Sequence, residues 1–466
     1  MKWTYTTISF FVLLHACILL RAQQDPGMTN SNYAGIRSSF LNPSSIVFSK
    51  IQSDLNIVSG GIVFDNDFVY IPRSNVPVLG FKRIFNGAIH ANLFYSRFDP
   101  QNPNKLYNVT YSSDILGPSF QMIVAKKHVI GFTLAARMYA NMRDVPGNLA
   151  QNAFSFLREK DLWNTPFTVG GMTQNLANWF EYGFHYGTEV YRWDNNELSG
   201  GATLKYLQGI SAAYIQKADF TYNIHDTTNI SFSNANIQYG RTDYTSFGRI
   251  GDYGDLNHGY GFGFDIGFEL LHREPENVNN GSGHYVYKLG LSMLDIGKIN
   301  YDRSSASYHL QADNANYQDW FHDTIRNNPQ LDKALSAAFY GGDSTKSLTA
   351  SHFYMNLPTA ISIQGDWNVY KDYFLNLTIV KSTRSRSKPG AIRPDMYTLT
   401  PRWETKWYEV SLPLSLIYYG RLQPRIGLAF RVYYFFFGLE SPWGILGLKD
   451  FERTEFYAGI HLFKPK

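Results

Sequence analysis

From Gly259 the chain reads GYGFGFDIGFEL, and its two faces are sorted almost without error. Tyr260, Phe262, Phe264, Ile266, Phe268 and Leu270 fall on one side, while Gly259, Gly261, Gly263, Asp265, Gly267 and Glu269 fall on the other. A period of two predicts a strand whose faces meet different media. The pattern recurs at 130–138, 180–190, 198–206, 285–293, 408–418 and 426–436. In the last two, Tyr408, Val410, Leu412, Leu414, Leu416 and Tyr418 share a face, as do Ile426, Leu428, Phe430, Val432, Tyr434 and Phe436. Between two runs, Asp194-Asn195-Asn196 supplies residues that tolerate left-handed turn angles.

These runs last about ten residues or more, against about five or six for an ordinary strand. About nine to eleven residues is what a tilted strand needs to cross a bilayer. The apolar faces carry no charge, as a lipid-facing surface requires, since Arg or Lys there costs ~2–4 kcal/mol. No apolar run after residue 22 reaches the length of a spanning helix. The expected fold is therefore all-β: a transmembrane antiparallel barrel of roughly 14 strands, with short helical insertions in loops or lumen. Tyr408, Tyr418, Tyr434 and Trp193, near run ends, suit interfacial girdles.

Three segments depart from alternation. Residues 1–22 combine Lys2, the apolar run ISFFVLLHACILL and a small-residue site before Gln23, which reads as an export signal. Cys17, the only cysteine, lies within that run and is expected to leave with it. Residues 23–50, rich in Asn, Ser and Pro, read as a flexible leader or as a plug-like segment, ahead of a barrel over 51–466. Helical spacing marks Gly147 to Lys160, Ala312 to Ile325, and a stretch opening with Asn328-Pro329; loop decoration is expected, with a gate as the alternative.

Composition narrows the classes. The chain has 466 residues, and 42 basic against 38 acidic side chains give +4, too little to call for nucleic acid. With 33 Tyr and 34 Phe in a chain of mean hydropathy −0.27, aromatic content and overall polarity coexist, as one-sided strands require. The polar faces yield candidate lumen residues of both signs: Arg137, Glu181, His185, Glu189, Lys205, Asp265, Glu269, Lys288, Glu409, Arg425 and Arg431. Mixed charge suggests an interior network or a polar path without strong ion selectivity. Catalytic, metal and cofactor residues are not identified: GYGFGFDIG lacks the third glycine of a nucleotide loop and lies within a strand. His185, Glu181 and Glu189 are four residues apart on one strand, so neighbours stand ~13 Å apart, too far to share a metal. Gly261, Gly263 and Gly267 would admit a plug or ligand, or ease wall curvature; curvature is the expectation.

Several segments in order, LNPSSI, NNELSGGATLKYLQG, GYGFGFDIGFE, YKLGLSMLDIGKINY, LPTAISIQGDW and LTPRWETKWYEVSLPLS with RIGLAFR, resemble an uncharacterised family of Bacteroidota outer-membrane proteins. The resemblance implies a barrel in the outer membrane and brings no activity. More distantly the chain is similar to FadL-like and PorV-like barrels, whose early Asn-Pro-Ala element is matched as Asn42-Pro43-Ser44; the C-terminal Lys464-Pro465-Lys466 departs from the terminal aromatic of many barrels. Two functions follow as expectations for a non-enzyme in contact with outer-membrane lipid. One is a channel or transporter for a small compound, apolar compounds included. The other is a non-transporting adaptor that holds a secretion or motility partner through its loops.

Overall fold

The computed structural model describes residues 25–75, 94–243, 257–274, 285–318, 328–385 and 388–466. The export signal expected at 1–22 lies outside the described residues.

Alternation of apolar and polar side chains makes each run amphipathic, and hydrogen bonding between neighbours then closes them into one antiparallel barrel of 14 strands. They are β1 (Ile51–Asn66), β2 (Leu106–Leu116 continued by Ser119–Ala125), β3 (His128–Pro146), β4 (Phe167–Trp193) and β5 (Asn196–Ile224). β6 joins Ile230–Thr242 to Gly259–His272, and β7 joins Tyr287–Tyr301 to Ser305–Tyr317. β8 comprises Leu348–Ala350, Phe353–Asn356 and Ala360–Tyr370. β9 (Tyr373–Ser382), β10 (Asp395–Glu404), β11 (Tyr408–Ser411 with Leu414–Tyr418), β12 (Leu422–Val432), β13 (Phe435–Glu440) and β14 (Arg453–Pro465) complete the wall. β14 pairs with β1, Asp54 opposite Phe463 and Val58 opposite Ile460, so the cylinder has no open edge of the kind hydrocarbon forbids.

The outer face is apolar all the way round. Leu55, Met122, Ile130, Phe184, Leu204, Phe262, Leu291, Ile363, Leu377, Leu399, Leu416, Leu428, Phe437 and Leu462 supply one exposed side chain from each strand. Over Gly259–His272, exposed aromatics and buried glycines or acids alternate with almost no break. A continuous apolar ring far exceeds the few hundred Å² that soluble monomers expose. Lipid is the medium that matches it. Leu428, midway along β12, is 41 % exposed; Leu428→Arg is expected to cost ~2–4 kcal/mol in folding titrations into bilayers. Leu448→Arg, in a loop beyond the ring, should stay within about 0.5 kcal/mol.

The two ends differ. At one end, beside Ile51 and Pro465, two-residue turns join β4 to β5, β8 to β9 and β12 to β13, and Asp194, Lys371 and Tyr433 take φ of 43°, 46° and 53° there. Such left-handed first positions match strand twist in tight hairpins. The turn at Tyr433-Tyr434 corrects one expectation: the outward face does not run on to Phe436, which is buried, and Phe435 and Phe437 face out instead. Tyr285 also departs from its expected outward face; it is buried and donates a hydrogen bond to Asp366.

At the other end several connections are long, those after β1, β3, β7, β9 and β13, and four strands overshoot. β4 and β5 have 27 and 29 residues, or ~90 Å at about 3.3 Å each, so their outer halves leave any bilayer. With the outer parts of β6 and β7 they form a sheet whose apolar face gathers Val169, Phe220, Tyr222 and Leu310, with Phe339 packed on it from a covering helix. Two helices cover it, α2 (Gly147–Phe154) and α3 (Asn328–Phe339), after the short α1 (Ser45–Phe48) inside the barrel. Asn152 donates to the Tyr222 hydroxyl at 3.1 Å, and Tyr239 donates to Asp332 at 2.9 Å. Both helices decorate loops. Left-handed Phe156 and Leu157 (φ 53° and 60°) stop α2 before Lys160. Ala312–Tyr317 is strand, not helix, because it pairs with Ile230–Ala235; 319–327 lies outside the described residues. Ladder pairing outweighs the local helical spacing. In the turn between β5 and β6, hydrogen bonds from Thr228 and Asn229 hold the Asp226 carboxyl down to about 2.

Candidate functional site: the filled lumen

Before β1, residues 25–49 lie inside the barrel. Asn, Ser, Gly and Pro there fold into successive tight turns, so the backbone bonds locally: Met28 N donates to Asp25 O at 2.8 Å, Ser31 N to Met28 O at 3.0 Å, and Val47 N to Ser44 O at 3.0 Å. A short 3-10 turn spans Gly35–Phe40. Local bonding frees side chains and stray N–H groups for the wall. Gly27 N donates to the Tyr457 hydroxyl at 3.2 Å, and Asn32 Nδ2 to Glu404 at 2.8 Å. Ile36 N donates to Asp54 at 2.9 Å, Arg37 to Ser59 at 2.6 Å, and Asn42 Nδ2 to Phe268 O at 3.0 Å. These five contacts reach β14, β10, β1 and β6, on different sides of the cylinder.

Wall glycines make room. A Cβ on Gly267 would stand 2.1 Å from Asn42 Oδ1, one on Gly201 2.4 Å from the Pro43 carbonyl carbon, and one on Gly187 2.8 Å from Val47. Gly267 thus serves close approach, where curvature was expected. At Gly261 the crowding group is wall backbone, Lys298 O at 2.1 Å. Gly201→Ala should force Pro43 away and destabilise by ~1–3 kcal/mol in urea titrations, as overpacking does. Gly170→Ala, whose nearest neighbour would be 3.9 Å away, should be close to neutral.

Inward-facing charges converge in three clusters. In the first, Asp295 receives Arg137 through both guanidinium nitrogens (2.8 and 2.9 Å), Lys205 at 2.6 Å and Arg393 at 2.7 Å. Glu181 pairs with Arg137 at 2.6 Å, and Asp265 with Lys205 at 2.7 Å. Three cations and three carboxylates balance in a site where each side chain is almost wholly buried, as buried charges require. In the second, Arg402 binds Asp366 and Glu404 at 2.8 and 2.9 Å, while Glu409 accepts from Ser31 at 2.6 Å and pairs with Arg431 at 3.2 Å. In the third, Arg425 joins Asp65 at 2.8 Å and Glu455 at 3.1 Å.

The remaining candidates fall nearby. His185 is buried between the Thr133 and Thr203 hydroxyls, 2.9 Å from each. Lys288 donates to Asn32 at 2.9 Å, and Glu269 accepts from Ser45 at 3.4 Å. Glu189 stands apart at the short-turn rim, paired with Lys127 and Arg192 at 2.7 Å each. Sequence reasoning missed Asp295, Arg393, Asp366, Arg402 and Glu404. The last three alternate with Ile363, Trp367, Leu399 and Trp403, a readable period; Arg393 lies in the connection after β9, where no period exists.

That connection also turns inward. Gly390 N donates to Asn175 at 2.9 Å, Ile392 N to Asn141 at 3.3 Å, and Ala391 packs in a buried cluster with Trp179, Leu207, Tyr301 and Phe353. Between residues 25–49 and the wall remains a cavity of ≈ 30 Å³, edged by Glu269, Lys288 and Asp366, enough for about one water. Among the described residues, no group of three His, Cys, Asp or Glu side chains could hold a metal ion.

Residues 79–439 match the model of a family of unknown function, DUF5723. The chain belongs to the DUF5723 family. Similar solved structures include a TodX deltaS2S3 mutant monoaromatic hydrocarbon channel, at 7 % identity and TM-score 0.40, covering 93 % of this chain and 95 % of that one. A Pseudomonas aeruginosa FadL homologue gives 9 % and 0.40, with 95 % and 98 % covered. The Pseudomonas putida toluene transporter TodX gives 9 % and 0.30, with 93 % and 95 % covered. Likeness this distant does not bear on ligand or mechanism. No curated protein matches the DUF5723 chain.

Proposed function

We propose that this protein is an integral outer-membrane barrel that passes a small compound through a lumen closed at rest, with residues 25–49 as the gate. One observation carries the reading: a wall complete in itself is obstructed by a separate segment, joined to it at Ile51 and held by hydrogen bonds. Two-residue turns near Ile51 and Pro465, with most of the long loops opposite, are how outer-membrane barrels face the periplasm and the exterior. The test is solute entry into liposomes containing the purified protein, compared with a variant whose segment is tethered by an N42C/Q364C disulfide. Flux that stops on oxidation and returns on reduction supports the gate; no flux in either state overturns it.

A second reading, a non-transporting adaptor, is favoured by the packing of residues 25–49 against the wall, where the cavity beside Glu269 and Lys288 is only ≈ 30 Å³, and by the sheet that projects past the bilayer. A stoichiometric partner recovered in mild detergent, together with a lumen that never conducts, would support it over transport.

A further inference from the structure

The loops following β1 and β13 meet at the long-loop end around a cavity of ≈ 430 Å³ that no part of the lumen uses, within the roughly 300–1,000 Å³ of small-ligand sites. Backbone bonds tie the loops together: Ile71 N donates to Phe451 O at 3.0 Å, Phe451 N to Ile71 O at 2.9 Å, and Asn66 N to Glu452 O at 3.2 Å. Arg97 lies 4.4 Å from the Tyr70 ring centroid and pairs with Glu452 at 2.8 Å and Asp450 at 3.4 Å. Arg453 pairs with the other Glu452 oxygen at 2.6 Å. Both carboxylates are therefore fixed in place and neutralised.

Two further cations edge the cavity, Arg73 and Lys449. Among the described residues, no carboxylate pairs with either side chain. Lys449 N donates to Trp443 O at 3.1 Å, which sets the ammonium on the same turn as an indole that is 38 % exposed. A part-exposed indole, ordered carboxylates with spare lone pairs, and surplus positive charge form one recognition set. The ring's negative face attracts the polarised C–H side of a pyranose, the carboxylates accept from its hydroxyls, and the cations meet an anionic substituent.

We propose that this cavity binds an anionic saccharide, a sugar carrying phosphate or carboxylate, at the outer surface. The test is isothermal titration of the purified full-length barrel in a sugar-free detergent with glucose 6-phosphate, glucose and inorganic phosphate. Glucose 6-phosphate should bind at least about tenfold tighter than either of the others. Arg73→Ala with Lys449→Ala should remove that preference over glucose, and Trp443→Ala the preference over phosphate, without a change in melting temperature. Equal affinity for phosphate and sugar phosphate would overturn the saccharide, equal affinity for glucose the anion, and no binding the site. A rough-type lipopolysaccharide then separates two sources. Tighter binding than the free sugar identifies a membrane glycolipid, weaker binding a soluble saccharide, and either supports the site.

Discussion

Deleting residues 25–49 is expected to give sustained, discrete conductance steps in planar bilayers, where the full-length protein, closed at rest, opens only rarely. Strand number sets lumen size. About eight strands leave an interior that side chains can fill, and about 16–18 leave an aqueous channel. A wall of 14 strands lies nearer the second case, so its own side chains cannot close it. The structure meets that need with the inward connection after β9 and with residues 25–49, whose Asn32, Ile36, Asn42 and Ser44 are almost wholly out of contact with solvent. Removal leaves Glu404, Asp54 and Ser59 without these partners, facing water that would enter. Should the deletion fail to assemble, Gly201→Val serves the same end by evicting Pro43, and brief openings are expected. A deletion protein that folds, shown by heat-modifiable migration on gels, and stays silent would contradict the gate.

Asp295→Ala is expected to be the most damaging single substitution in the wall. It removes the carboxylate on which Arg137, Lys205 and Arg393 converge, and leaves three buried cations to Glu181 and Asp265. Breaking a buried pair by removing one partner costs about 3–5 kcal/mol, and a shared carboxylate should reach the upper part of that range. The measurement is the urea midpoint for folding into bilayers. For comparison, Lys381→Ala breaks a pair with Asp395 whose lysine side chain is 57 % exposed; it should cost about 1 kcal/mol or less. Arg393→Ala adds a local readout, because Arg393 ties the inward connection to Asp295. It should raise hydrogen exchange at Ile392 with a smaller loss of stability. Equal midpoints for Asp295→Ala and Lys381→Ala would show that the cluster is hydrated.

Both expectations rest on features of unequal legibility in the sequence. The wall was readable because its outward face meets lipid and its inward face does not: the run from Tyr260 to Leu270 has a period that one medium could not impose. Arg137, Glu181, Lys205 and Asp265 were readable as polar positions on such runs. Their convergence was not. Asp295 lies at a register shift with φ 54°, so it breaks the alternation that marks a strand, and Arg393 comes from a connection that has none. Residues 25–49 posed a different problem. Asn, Ser and Pro form tight turns equally well in a mobile leader and in a polar filler, and the difference lies in wall residues far along the chain, Gly201, Gly267 and Glu404. Gly267 shows the same limit: nothing local separates a glycine that bends a wall from one that admits Asn42. Phe436 was misplaced because a left-handed Tyr433 turns the chain within an unbroken apolar run.

The central claim is a three-way partition: lipid outside, strands between, packed side chains within. With Cys17 the only cysteine, single cysteines can be placed along the first quoted run and spin-labelled in liposomes. Oxygen and a water-soluble nickel chelate then report lipid and water separately. Labels replacing Phe262, Phe264, Ile266 and Phe268 should respond to oxygen, and labels replacing Asp265 and Glu269 to neither reagent. Nickel access at the first set would mean a water-bathed exterior, and nickel access at the second an open, water-filled bore; either would contradict the structure as interpreted.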